Sequence, residues 1–412
     1  MTRAMKDSGI EWIGEIPQEW EVTKINHLYS QRNQKVSDKD FEPLSVTKKG
    51  ILPQLENAAK TDNGDNRKLV KIGDFVINSR SDRRGSCGIS SFDGSVSLIN
   101  IVLKPRENMN SKYFDWLFHT TLFADEFYKY GNGIVDDLWS TRWDNMKNIL
   151  VPYPPLNEQQ KIAEFLDEKC SHIDSVLEKV RASIDEYKQL KQSVITQAVT
   201  KGVRPNRPMK DSGIEWIGEI PQDWSIIAHK YVMYKDKKIC EHYNGEDIIS
   251  LTMSGVIKRD LDAGGKMPTT FDGYQYVEPE DLLLCLFDID VTPRCVGVVK
   301  DYGITSPAYS RFKVNKGYFN KYYDYLLRMI DNDKVFVHLA KNLRSSLKED
   351  DFGAIKTIVP PMLEQKQISD YLDDKCSEID KLITKKEQLI AELETYKKSL
   401  IYEYVTGKKE VK

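Results

Sequence analysis

The sequence is poor in the features that mark an enzyme, a membrane protein or a secreted one. Its six cysteines, Cys87, Cys170, Cys240, Cys285, Cys295 and Cys376, form no CxxC pair and no dense cluster. That excludes a disulfide scaffold and a cysteine-based zinc module, and it implies reduced thiols in a cytoplasmic protein. The longest apolar runs, such as "DLLLCLF" from Asp281, are only strand length. Neither a bilayer span nor the core of a signal peptide is therefore expected, and no membrane partner. A phosphate-cradling loop needs GxxxxGK followed by Ser or Thr, and neither Gly265-Lys266 nor Gly407-Lys408 has the first glycine or the hydroxyl. His27, His119, His172, His229, His242 and His338 have no spacing suited to a metal site or a catalytic triad. Positive charge is not in excess either: the net charge is -3 and the pI near 6.2. Any contact with nucleic acid must then be local, because no chain-wide basic footprint exists to drive it.

What the chain does contain is itself, written twice. "MKDSGIEWIGEIPQEW" from Met5 returns as "MKDSGIEWIGEIPQDW" from Met209, with only Glu19 exchanged for Asp223. The match weakens through the middle, where "PLSVTKKG" from Pro43 faces "IISLTMSG" from Ile248 and "GDFVINSR" from Gly73 faces "EDLLLCLF" from Glu280. It returns where "PLNEQQKIAEFLDEKCSHID" from Pro155 faces "PMLEQKQISDYLDDKCSEID" from Pro361. Repeats of this kind decide the architecture before any single residue does. Each copy has an anchored start, a divergent middle and an anchored end.

The anchored ends read as long amphipathic helices, with apolar residues spaced by three and four from Glu158 to about Thr200 and again after Pro360-Pro361. A break near Lys169–Ser171, giving a short helix and then a long one, fits the pattern as well. Neither stripe can be buried by its own helix, and the two match in length and register. They are expected to pair as an antiparallel coiled coil about a pseudo-two-fold axis, unless each instead packs on its own domain. The expected seam is Ile173, Leu177, Val180, Ile184, Tyr187 and Val194 against Ile379, Ile383, Ile390, Leu393 and Leu400.

The middles read as mixed α/β (α+β) domains. Short apolar runs bounded by Gly, Asp and Ser predict strands, and "SKYFDWLFHTTLFADEFYKY" from Ser111 and "NKYYDYLLRMIDNDKVFVHLA" from Asn320 predict one aromatic-faced helix each. Those faces are read as core before stacking platform. The repeated opening, with Ile10, Trp12, Ile13, Ile16 and Trp20 interrupted by Gly9, Gly14 and Pro17, predicts an irregular packed strap. It either braces its own domain or meets a surface that occurs twice, the helix pair or a partner bound twice. Boundaries follow at 1–154, 155–203, 204–359 and 360–412.

A variable domain that opens with "GIEWIGEIPQEW", closes at "VPYPPLNEQQKIAEFLD", runs into a long helix and then does so again resembles the specificity (S) subunit of Type I restriction-modification systems. The resemblance spans essentially the whole chain. It implies two globular target recognition domains separated by the two long helices, each reading one half of a bipartite asymmetric site in double-stranded DNA. It implies as partners two methyltransferase subunits and a motor/nuclease restriction subunit. No cofactor is expected in this chain, and S-adenosylmethionine is expected in the methyltransferase. The chain should have no catalysis of its own: "VPYPP" from Val151 is only superficially like an adenine-methyltransferase loop, and "GNG" at Gly131 is a lone fragment. The competing reading is a coiled-coil scaffold whose domains bind proteins rather than DNA.

For DNA contacts, "NSRSDRRGS" from Asn78 places Arg80, Arg83 and Arg84 in a polar loop after a strand, suited either to phosphate and guanine or to solvent. Lys48, Lys49 and Arg142 extend the first-domain set. The matching loop of the second copy, "FDIDVTPRC", keeps only Arg294, so Lys258, Arg259, Tyr309, Arg311 and Arg344 are the remaining candidates there.

Overall fold

The computed structural model describes residues 3–54, 64–133, 139–253, 255–261, 268–292, 294–340 and 346–411. The chain forms two compact units, Met1–Val180 with Glu387–Lys412, and Arg181–Lys386. Each unit thus combines one divergent segment with the beginning of the long helix that follows it and the end of the other long helix.

The two sheets share a topology that their sequences hide. In the first unit an antiparallel sheet runs in the order Cys87–Ile89, Phe75–Asn78, Asn100–Pro105, Tyr29–Gln31. In the second the order is Val296–Val298, Leu282–Leu284, Ser310–Val314, Met233–Lys235. Successive side chains of a strand face opposite ways, and both faces are covered here. Phe75 and Ile77 join the main core while Val76 joins a smaller one with Val70, Val96 and Val102; Leu282 and Leu284 divide from Leu283 in the same manner. Such strands need apolar residues but no particular ones, which is why the middles could diverge.

The ends of each divergent segment are zipped together. Glu21–Lys24 pairs with Leu150–Tyr153, and Ser225–Ala228 with Lys356–Val359, each immediately before a proline pair and a long helix. The aromatic segments form two helices each where the sequence pattern predicts one: Ser111–Phe118 and Thr121–Lys129, then Asn320–Asn332 and Val335–Leu339. Thr120 restarts the first by accepting a hydrogen bond from the Phe123 amide, an N-cap that the aromatic periodicity does not reveal. Lys334, left-handed at φ 56°, interrupts the second. Their rings are core: Tyr113, Phe114, Phe118, Phe123 and Phe127 are buried, with neighbouring centroids 4.4–6.2 Å apart.

The long helices, Leu156–Lys201 and Met362–Val405, are continuous, with no break at Lys169–Ser171. Within each unit the two helical stretches run antiparallel. In the first, Phe165 meets Tyr404 (centroids 4.4 Å) and Asp174 meets Lys397 (2.7 Å). In the second, Lys386 lies over Tyr187 (5.6 Å) and Lys191 meets Asp380 (2.6 Å). Ile173, Leu177 and Leu400 are buried in the first unit, with Val180, Ile390 and Leu393 half-buried; Ile184 and Ile379 are buried in the second, with Tyr187, Val194 and Ile383 half-buried. Other members of the apolar stripe face solvent, notably the repeat mates Leu190 (48% exposed) and Tyr396 (55%). Among the described residues no helix is long and apolar enough to cross a membrane.

Candidate nucleic-acid interface

The repeated strap and the repeated start of the long helix are two sides of one junction. Met5–Asp7 and Glu15–Pro17 form a hairpin that buries Ile10, Ile13 and Ile16 and delivers Trp20 to the helix. The Trp20 indole N–H donates to Glu158 Oε2 at 2.9 Å, and Arg3 donates to the same carboxylate at 2.8 Å while its guanidinium lies 5.5 Å from the indole centroid. The second unit repeats the arrangement. Trp224 donates to Glu364 at 3.1 Å, Arg207 pairs with Glu364 and with Asp223 (2.6 Å), and it lies 5.8 Å from the Trp224 ring. The Glu364 hydrogen bond, opposed by desolvation, raises the Arg207 pKa above its ordinary value. A buried carboxylate is tolerated only when paired and hydrogen-bonded, so Arg, Trp and Glu must be kept together.

The next residue repeats as well. Gln159 accepts from the Asn110 amide and donates to the Pro154 carbonyl, both at 2.8 Å; Gln365 does the same with Phe319 (2.8 Å) and Pro360 (2.7 Å). The end of the other long helix closes the junction. Tyr113 Oη donates to the Val405 carbonyl (2.7 Å) and Tyr322 Oη to that of Val199 (2.8 Å), taking up carbonyls that a helix end leaves unpaired. Gly407 and Gly202 follow at φ 72° and 73°, and a Cβ on either would collide with the junction: 2.9 Å from the Trp20 ring, 2.7 Å from Glu364. Sequence reasoning saw the strap and the Glu-Gln pair and offered the helix pair as one surface the strap could meet, but it did not identify the side chains that join them, and it missed Arg3 and Arg207. The signal was there, since extending the repeat two residues upstream of Met5 and Met209 reaches both.

The expected DNA contacts scatter over several settings. Lys48 and Lys49 form the exposed two-residue turn of the hairpin Leu44–Thr47 and Gly50–Pro53. Arg80 pairs with Asp82 (2.9 Å), Arg84 pairs with Asp125 and lies over Tyr128 (5.6 Å), and Arg83 is 66% exposed with only a 3.6 Å approach to Asp82. Arg142 is exposed at the start of the short helix Trp143–Met146. In the second unit Lys258 is exposed and pairs with Asp247 (2.7 Å), and Arg259 is half-buried. Arg294 is half-buried, and desolvation, with Arg328 nearby, lowers its pKa. Tyr309 is half-buried, and desolvation raises its pKa. Arg344 lies outside the described residues.

Arg311 is a correction. It is 1% exposed, paired with Asp281 (2.5 Å) and flanked by Glu278 (3.3 Å) and Asp236 (3.4 Å), so its guanidinium serves the sheet and has no surface to offer. The first unit makes the same kind of pair from the residue that follows the strand Tyr29–Gln31, Arg32 with Asp74 at 2.6 Å. A basic residue flanked by strand residues reads as exposed unless its buried carboxylate is known.

Two unlike sheet-and-loop domains are thus each mounted on the same repeated helix junction. The Type I restriction modification DNA specificity domain family matches residues 17–184. Over 96% of its length the chain is 26% identical to the Type I restriction enzyme MjaVIII specificity subunit of Methanocaldococcus jannaschii, covering 94% of that protein. Two solved structures share the fold. One is a chain from a study of complex assembly and conformational transition of the type I R-M system (TM-score 0.72, 12% identity, 96% of this chain and 99% of that one). The other is the HsdS subunit of Thermoanaerobacter tengcongensis (TM-score 0.50, 15% identity, 96% and 98%). Residues 17–184 thus carry the mark of that family, and over nearly its whole length the chain is similar to specificity subunits of Type I restriction enzymes.

Proposed function

We propose that the chain reads a bipartite, asymmetric target in double-stranded DNA, one half-site per unit, and docks two methyltransferase subunits and a motor/nuclease restriction subunit. The observation that carries this reading is the unequal rate of change along the repeat. The junction is duplicated almost atom for atom, whereas the loops on the sheets differ in charge, from Arg80, Arg83 and Arg84 in one unit to a largely acidic loop with Arg294 in the other. Identical junctions suit two copies of one partner, and unlike loops suit unlike half-sites.

In this reading residues 1–154 and 204–359 are the target recognition domains, and 155–203 and 360–412 are the long-helix regions that set the spacing. Lys48, Lys49, Arg80, Arg83, Arg84 and Arg142 supply the first domain's contacts; Lys258, Arg259, Arg294 and Tyr309 supply the second's. Methyl transfer to adenine belongs to the partner and its S-adenosylmethionine. Leu190 and Tyr396, exposed at equivalent repeat positions, are the natural docking points. Filter binding of the chain with its methyltransferase should show affinity that falls steeply with salt, as phosphate contacts require. The wild-type chain should hold two methyltransferase copies, and Tyr396→Glu should hold one. Unchanged stoichiometry would remove the docking assignment, and salt-independent or absent DNA binding would favour domains that bind protein.

A further inference from the structure

The hairpin that carries Lys48 and Lys49 is built twice to one plan. Leu44–Thr47 pairs with Gly50–Pro53 and Ile249–Thr252 with Gly255–Lys258, residue for residue in the same register. Thr47 Oγ1 donates to the Gly50 carbonyl and Thr252 Oγ1 to that of Gly255, both at 2.9 Å. The two glycines take left-handed φ values of 103° and 106°, which a side chain would strain. Leu44 and Ile51 are buried beneath the first hairpin, Ile249 and Val256 beneath the second. Each hairpin rests on the edge strand of the main sheet: a Cβ on Gly88 would come within 3.0 Å of the Gly50 Cα, and one on Gly297 within 2.7 Å of Val256 Cγ2. The frame thus fixes the threonine, the glycine and the apolar pair, and leaves the two turn residues free to vary.

Those two residues have changed their chemistry. In the first unit they are Lys48 and Lys49, both exposed and without an ion pair among the described residues, and no other charged residue lies between Pro43 and Gln54. In the second they are Met253, 67% exposed, and Ser254, which lies outside the described residues. Two adjacent ammonium groups repel each other until acceptors meet them, and a thioether held in water gains by burial against an apolar edge. The arginine loops reach the same end of the sheet. Cys87–Ile89, on which the first hairpin rests, follows directly on the Arg80–Arg84 loop, and a Cβ on Gly255 would lie 3.9 Å from Arg294 Nη1. A two-stranded ribbon fits the major groove of DNA, where lysine pairs with the guanine O6 and N7 acceptors and an apolar side chain meets the thymine methyl. We infer that the hairpin turn is the exchangeable base-reading element of each unit, with Lys48 and Lys49 on guanine in the first half-site and Met253 on a thymine methyl in the second. This rests on the DNA-reading function proposed above and adds to it the element, its mode of contact and the bases it selects. Met253 is a contact that a search for basic residues passes over.

The test maps N6-methyladenine genome-wide in cells expressing the full chain with its methyltransferase. Lys48→Met with Lys49→Ser, the turn residues of the second unit, should relax a guanine preference by roughly tenfold at one or two positions of one half-site and leave the other half-site as it was. Met253→Lys should change the other half-site alone, ending its preference for thymine at one position. The wild-type motif from either variant, at full occupancy or at an occupancy lowered evenly over all sites, would overturn the inference, because an even loss marks a phosphate or structural role. Should a variant direct no methylation, photocrosslinking of the wild-type complex decides. Bromodeoxyuridine puts bromine in place of the thymine methyl, so irradiation on substituted genomic fragments should crosslink the peptide that contains Met253. Crosslinks of the second unit confined to other peptides would reject the assignment. If the wild-type chain itself directs no methylation and binds no DNA, the proposed function fails; failure confined to the hairpin tests leaves it standing.

Discussion

Glu364 is 1% exposed and accepts from both Trp224 and Arg207, so its loss strands an indole N–H and a guanidinium in a site shaped for a carboxylate. Removing one member of a buried pair costs more than the pair contributes. Glu364→Ala should therefore destabilise the second unit by roughly 3 kcal/mol in denaturant unfolding, and a change below the error of that measurement would show the junction to be decorative. His229 offers a second test. It replaces the repeat mate Ile25, is buried, and stacks on Phe352 at 5.0 Å with no hydrogen-bond partner for either ring nitrogen. Burial lowers its pKa to about 4. A neutral imidazole in the fold and an ordinary one near 6.5 in the unfolded chain mean that the unfolded state takes up protons first. The stability tied to His229 is present above pH 6.5 and is lost as pH falls towards 4, by up to roughly 3 kcal/mol. His229→Ile should flatten that part of the pH profile, as followed by thermal melting between pH 4 and 7. Neither residue's setting was legible in the sequence. Spacing shows that Glu158 and Glu364 recur, but not that Trp20 and Trp224 reach them, and nothing in the chain of letters separates a buried histidine from a surface one.

At the scale of elements the sequence was far more informative. The long helices were readable because an amphipathic stripe with no Pro or Gly has few other solutions. The stripe overstated the packed seam, since Leu190, Leu382, Leu389 and Tyr396 carry the right spacing yet face solvent. Periodicity reports which residues share a face, not how much of that face a partner covers. The shared sheet order was visible only in part: the segments holding Phe75–Asn78 and Leu282–Leu284 align as acid-then-apolar runs, but a strand buried on both faces needs only apolar residues and keeps little else to align. The continuity of both helices gives the spacing proposal its test. Inserting four residues, about one turn, into both helices should change the preferred spacer while leaving both half-sites as they were. Restriction of DNA with altered spacers would read this out, and an unchanged spacer would dispose of the helices as the determinant.

For the molecule as a whole, function follows from what was duplicated and what was then allowed to differ. The anchored ends were copied with their hydrogen bonds, Gln159 with Gln365 and Tyr113 with Tyr322, while the loops took up different charges. Two unlike readers on one repeated mount should report a target of two unlike parts. The most direct measurement is the methylation motif of genomic DNA from cells that express the chain with its methyltransferase and no other modification system. The predicted result is a motif of two different half-sites, each with one methylated adenine, separated by a fixed run of unspecified bases. A single uninterrupted motif, or two identical half-sites, would contradict the account.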